Sequence, residues 1–244
     1  MARAFLLGSY VDLLTMQETL DKVESIIQIG KPVQHVVINA SKINLMAENK
    51  ELAAIVNASP LINADGQSIV WAMKFLGHGA QERVTGIDLF EKLVKKSAEK
   101  GYRVYYFGAK EDVVQEVVRL HQQQYPNLAV AGYRNGYFDD IESEEIALDI
   151  RKSKADIVFV AFSSPKKEQW IHAYKDTMGA PFVMGVGGSF DVMAGVTKRA
   201  PQWMQKTGLE WFYRFMQEPK RMFKRYFIGN LSFMSKVIQE RWRQ

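Results

Sequence analysis

The stretch Asn63-Ala-Asp65-Gly66 sets a carboxylate between an apolar pair, Leu61-Ile62, and a segment of helical period. An aspartate placed there has two roles open to it. It can accept backbone N–H bonds in the first turn of the following helix, the commoner use of the residue at such a position. It can also act as a general base that takes a proton from a hydroxyl. Position alone does not separate the two. A second cluster, Ser164-Pro165-Lys166-Lys167-Glu168, reads as a helix start, with serine as cap, proline at the first position and glutamate in the first turn. Its paired lysines oppose the helix dipole, which points to an anionic ligand nearby. Gly185-Val-Gly187-Gly188-Ser189 can cradle a diphosphate on backbone amides, or simply let helix and strand pack closely. It is not the dinucleotide fingerprint, because Phe190 holds the sixth position.

Other chemistries are excluded or disfavoured. His35, His78, His121 and His172 have no metal-ligand spacing and suit surface or packing roles. Asp139-Asp140 lacks the third aspartate of a metal-binding set and reads as a solvated loop. No metal and no cofactor are expected. The absence of cysteine excludes disulfides, thiolate zinc sites and cysteine nucleophiles, and is compatible with a reducing cytosol.

These groups need a scaffold, and the apolar pattern supplies one. Strands are expected at Phe5–Val11, Val36–Ile38, Leu61-Ile62, Arg103–Phe107, Leu128–Ala131, Ile157–Phe162 and Phe182–Val186. Helices are expected across 42–57, 67–77 and 87–99. Another is expected with Val113, Val114, Val117 and Val118 as its buried stripe. Alternating strands and helices predict an α/β fold, a mainly parallel sheet with helices on both faces. Ligands in such sheets sit beyond the carboxyl ends of the strands, so the strand-to-helix loops are where function belongs.

Charge divides the chain in two. Residues 198–244 hold 11 Lys or Arg and three acidic residues, a charge of +8, whereas residues 1–197 carry −3. The reading is a core over 1–197 and a basic amphipathic helical appendage over 198–244. On a helical wheel Arg221, Arg225, Lys236 and Arg243 share one side. Phe223, Tyr226, Phe227, Leu231, Met234, Val237 and Ile238 take the other, as in a helix lying in an anionic membrane interface. The apolar face is continuous rather than interleaved, which disfavours nucleic acid. It can also support self-association into a homo-oligomer where no membrane is present. The longest uncharged run near the end, Tyr226–Ser235, is 10 residues, too short to span a bilayer. Neither a signal peptide nor a membrane span is expected.

Taken together the motifs resemble the WecG/TagA/CpsF family of glycosyltransferases. The likeness runs through Asn63-Ala-Asp65-Gly66, Arg83-Val-Thr-Gly86-Ile-Asp88, Tyr106-Phe-Gly108 and Gly136-Tyr137-Phe138. It continues through Ser164–Glu168, Gly185–Asp191, Arg199-Ala-Pro201, Gly208-Leu-Glu-Trp211, Tyr213-Arg214 and Glu218-Pro219-Lys-Arg221. The resemblance implies a Rossmann-like core and metal-independent, inverting transfer from a UDP-sugar to a polyprenyl-diphosphate-linked saccharide. The reaction would take place at the cytoplasmic face of the membrane. It implies Asp65 as general base and Arg214 and Arg221 on the diphosphate groups, with Lys224 and Arg225 extending that basic cluster. Donor contacts are expected from Asn39, Arg83, Gly108, Lys166, Lys167, Glu168 and Gly187. Three positions depart from the family pattern: Ser163 stands where glycine is usual, Lys167 where glutamine is usual, and Val37 where some members have threonine. The rival reading is a non-catalytic peripheral membrane protein that binds a nucleotide or anionic lipid.

Overall fold

The structure is a computed structural model that describes residues 2–78, 82–217, 219, 223 and 229–243, without the side chains of residues 206 and 243. It opens with a hairpin of β1 (Arg3–Leu6) and β2 (Ser9–Asp12). The single strand expected over Phe5–Val11 is therefore two, because Leu7 and Gly8 both take positive φ, as a tight two-residue hairpin turn requires. After α1 (Met16–Ile29) come β3 (Val33–Ile38), α2 (Ala40–Glu48), α3 (Lys50–Asn57), β4 (Leu61–Ala64), α4 (Gln67–Phe75) and α5 (Gly86–Lys100). Next are β5 (Arg103–Gly108), α6 (Glu111–Gln124), β6 (Ala129–Arg134), α7 (Ser143–Lys152), β7 (Ile157–Ala161), α8 (Lys166–Met178), β8 (Phe182–Gly185) and α9 (Ser189–Met193). The helix expected across 42–57 is broken at Asn49, whose side chain caps α3 by accepting from the Leu52 N–H at 2.9 Å.

Six strands form one parallel sheet in the order β4-β3-β8-β7-β5-β6. Strand alternation builds the layers on both faces. Val104, Tyr106, Ile157 and Phe159 pack with α1, α5 and α6, whereas Tyr105, Phe107, Val158 and Val160 pack with α7 and α8. A third cluster joins β3 and β4 to the hairpin, α2 and α4.

The described part of the basic end comprises α10 (Gln202–Lys206), α11 (Glu210–Gln217) and α12 (Gly229–Arg243). Helix α12 corrects the wheel drawn from sequence. Phe233 and Val237 are buried in the cluster with α2, and Lys236, assigned to the polar face, donates to Asn44 Oδ1 at 2.9 Å on the core side. Leu231, Met234, Ile238 and Trp242 form the open stripe instead. A wheel separates apolar from polar, but it does not show which apolar side the core has already claimed.

Two histidines are sealed in the core. His35 Nε2 donates to Asn63 Oδ1 at 2.9 Å, and Asn63 in turn donates to Thr19 Oγ1. His121 Nδ1 shares a hydrogen bond with the Tyr106 hydroxyl at 2.9 Å. Burial pushes each imidazole down to about 4. A base whose folded value lies below its unfolded 6.5 stabilises fully above pH 6.5 and loses that contribution as pH falls toward 4. Each histidine is worth at most about 3 kcal/mol over that window. Urea midpoints should therefore drop steeply between pH 6.5 and 4.5, and a flat profile would contradict neutral buried imidazoles.

Candidate active site

The carboxyl ends of β4, β3, β8 and β7 stand side by side and bring four loops together. Asp65 follows β4 directly, with its N–H donating to Ile38 O at 2.9 Å. It does not cap α4, whose N-cap is Gly66 without a side-chain bond. Its Oδ1 instead accepts from the Gly86 N–H, the first amide of α5, at 3.1 Å. Thr85 caps α5 by accepting from the Asp88 N–H, which leaves the Gly86 amide for Asp65. The aspartate is thus oriented by a helix N-terminus that suits a negative charge. It remains partly exposed, and its Oδ2 has no partner among the described residues.

Asn39 ends β3 and lies against this loop: a Cβ on Gly66 would come within 3.1 Å of the Asn39 Cβ. Its Oδ1 accepts from the Lys42 N–H and caps α2. Val37 faces Gly86, with its methyls about 3.7 Å from where a Cβ there would sit, so this position serves packing.

The paired lysines at the start of α8 diverge. Lys166 lies over the Phe138 ring, 4.9 Å from its centroid, and 3.8 Å from Asp140. Lys167 runs along β8, its Cδ 3.0 Å from where a Cβ on Gly185 would be and its Nζ 3.4 Å from the same point on Gly187. Its ammonium therefore reaches the glycine loop, and that of Lys166 does not. Ser164 fails to cap α8; its hydroxyl donates to Glu168 Oε1 at 3.0 Å.

Glu168 is 2% exposed and pairs with Lys42, itself 5% exposed, while Lys167 Nζ stands 3.7 Å away. Burial would raise this carboxyl, but Lys42 and Lys167, with hydrogen bonds from Lys42 and Ser164, outweigh it and hold it below the ordinary range. Glu168 thus anchors two lysines rather than opening toward a ligand. Sequence reading missed Lys42; its signal was a lysine in the first turn of α2, where a cation is unfavourable unless paired.

At Gly108 the chain itself requires a glycine. Its φ is +123°, and a Cβ would lie 2.8 Å from the backbone of Ala161 on β7.

The basic end is fastened next to Asp65. Arg83 donates to Glu210 Oε2 of α11 at 2.8 Å and to Gln205 O at 3.4 Å. Arg199 donates to Asp88 Oδ1 at 2.5 Å and lies 3.7 Å from Glu210 Oε1. The turn between α10 and α11 reaches further. Gly208, at φ +76°, sits so close to Gln67 that a Cβ would lie 2.8 Å from the Gln67 side chain, two residues beyond Asp65. Arg214 is partly buried on α11, while Arg221, Lys224 and Arg225 lie outside the described residues. Among the described residues no group of three or more His, Asp or Glu is arranged to hold a metal ion. No helix among them is long and apolar enough to cross a membrane.

Comparison with known proteins identifies the family. The model of the Glycosyl transferase WecG/TagA/CpsF family matches residues 4–244. The chain is 34% identical over 215 residues, 88% of its length and 80% of the relative's, to the N-acetylglucosaminyldiphosphoundecaprenol N-acetyl-beta-D-mannosaminyltransferase of Bacillus subtilis (strain 168). It is 31% identical over 223 residues, 91% of its length and 87% of the relative's, to a Staphylococcus aureus (strain MW2) protein of the same name. With a parallel sheet whose loops carry the motifs, and a match over nearly its whole length, the chain belongs to the WecG/TagA/CpsF family of glycosyl transferases.

Proposed function

We propose that this chain is an inverting, metal-independent glycosyltransferase that moves a sugar from a UDP-sugar to a polyprenyl-diphosphate-linked saccharide at the cytoplasmic face of the membrane. The names of the relatives support N-acetylmannosamine as the sugar moved and N-acetylglucosaminyldiphosphoundecaprenol as the acceptor. The observation that carries the reading is the Asp65 carboxylate. It is held on one oxygen by a helix N-terminus and left partly open, beside a basic appendage that packs on the same loop.

In a single displacement the acceptor hydroxyl oxygen bonds to the anomeric carbon while the bond from that carbon to the UDP oxygen breaks. The electron pair leaves with UDP, and the hydroxyl proton passes to Asp65. Lys167, on the glycine loop with Gly187, meets the negative charge of the donor, and Asn39 lies beside the reacting groups. Glu168 acts through Lys42 and Lys167. Arg83 holds the appendage over the site through Glu210, and Arg214, Arg221, Lys224 and Arg225 take the diphosphate charge that a metal would otherwise neutralise. Division into a core over 1–197 and an appendage over 198–244 fits these roles, since the first carries the base and the second the membrane-side cations.

The test is a panel of UDP-sugars with a short-chain lipid-diphosphate N-acetylglucosamine, with chelator present and product scored by mass. The expected product is heavier by one N-acetylhexosamine, from UDP-N-acetylmannosamine. Folded protein that converts no donor in the panel would defeat the proposal.

A further inference from the structure

Helix α4, which begins two residues after Asp65, presents aromatic groups to solvent. Ile69, Ala72 and Met73 are buried, yet Trp71 is 58% and Phe75 53% exposed. At helical spacing Gln67, Trp71 and Phe75 succeed one another along one face, and exposed Lys74 flanks them. Gln67 is the residue on which Gly208 of the appendage rests. The open face of α4 therefore starts under the turn between α10 and α11 and continues outward from it. Around that turn Trp203, Phe212 and Met216 are also exposed. The appendage and α4 thus meet where Gly208 rests on Gln67, next to the loop that carries Asp65.

We infer that α4 is a second membrane-contact element, in which Trp71 and Phe75 enter the interface of an anionic bilayer and Lys74 meets its headgroups. The inference rests on the membrane-bound acceptor proposed above and deepens it. Three observations select lipid as the occupant. Tryptophan and phenylalanine beside a lysine suit the headgroup level, where rings are half-solvated and the amine meets phosphate. The face is continuous with a segment of charge +8, which an anionic surface attracts. The third is distance: at about 1.5 Å per residue, Trp71 lies roughly 6 Å along α4 from Gln67, which follows Asp65 by two residues. One sugar and a diphosphate can bridge that span. With Trp71 at the interface, the acceptor hydroxyl reaches the carboxylate while its lipid stays in the bilayer. Contact through α12 alone would leave that distance unset.

Two full-length reporters test this. One keeps Trp71 and buried Trp170, the other Trp242 and Trp170, with the remaining tryptophans changed to phenylalanine. Each is mixed with phosphatidylglycerol vesicles carrying brominated acyl chains. Both reporters should be quenched to a similar degree. Quenching of the Trp242 reporter without the Trp71 reporter would overturn the inference and leave the membrane reading standing. Quenching of neither would overturn both. In a parallel assay, Trp71→Ser with Phe75→Ser should lower turnover of vesicle-embedded acceptor at least about tenfold, yet leave turnover of a soluble short-chain acceptor unchanged. An equal loss on both acceptors would make α4 a structural element of the site. Conversion of a dimer to a monomer without altered quenching would make this face a contact between copies. Either result would sink the inference.

Discussion

Asp65→Asn should lose about 10²–10⁴-fold in turnover, the range a general base contributes, while binding UDP-sugar as before. The side-chain amide keeps an oxygen that can accept from Gly86 N–H, so the start of α5 and the thermal midpoint should be nearly unchanged. It has no basic oxygen to take the proton of the acceptor hydroxyl. The pairing of preserved fold and donor affinity with lost turnover separates a base from a helix cap. A non-catalytic lipid- or nucleotide-binding protein would lose nothing. Nearly full activity in a folded Asp65→Asn protein would remove the aspartate from the mechanism.

The largest effect on stability is expected at Glu168. Glutamine there leaves Lys42 and Lys167, 5% and 12% exposed, beside each other with their shared carboxylate gone. Removing one member of a buried ionic group costs about 3–5 kcal/mol, because the remaining charge is neither solvated nor paired. For a chain of this size that lowers the thermal midpoint by on the order of 10 °C. Adding Lys42→Met to Glu168→Gln should recover part of the loss, since one uncompensated cation goes with the carboxylate. If the two changes instead simply added, the ionic coupling read from the geometry would be absent. Donor affinity should fall in Glu168→Gln even at temperatures where it remains folded, because Lys167 loses the group that holds it along β8.

Much of the frame was legible from residue order. The apolar runs of β3, β7 and β8 and the valine stripe of α6 have periods that local sterics and burial dictate, so the α/β class and its loops follow from pattern. Errors arose where a single residue altered the path. Asn49 turned one helix into two, and the positive φ at Leu7 and Gly8 turned one strand into a hairpin. Both depend on a local backbone choice that averaged hydrophobicity does not encode.

The candidate site divides along the same line. The residue types at Asp65, Lys167 and the glycine loop, and the +8 of the last 47 residues, are properties of the chain in order, and they announced a carboxylate, a cation and an anionic partner. Which groups meet was decided only by folding. Residue order allowed Asp65 to cap its own helix; the approach of the start of α5 to the end of β4 gave it the amide of Gly86 instead. Adjacent lysines looked equivalent, and the close approach of β8 separated them. Glu168, read as a ligand contact, is turned inward to Lys42, 126 positions away in the chain. Local pattern records what a residue can do, because chemistry and backbone preference travel with the side chain. Its partner is set by long-range packing, because burial makes an unpaired charge too costly to leave alone.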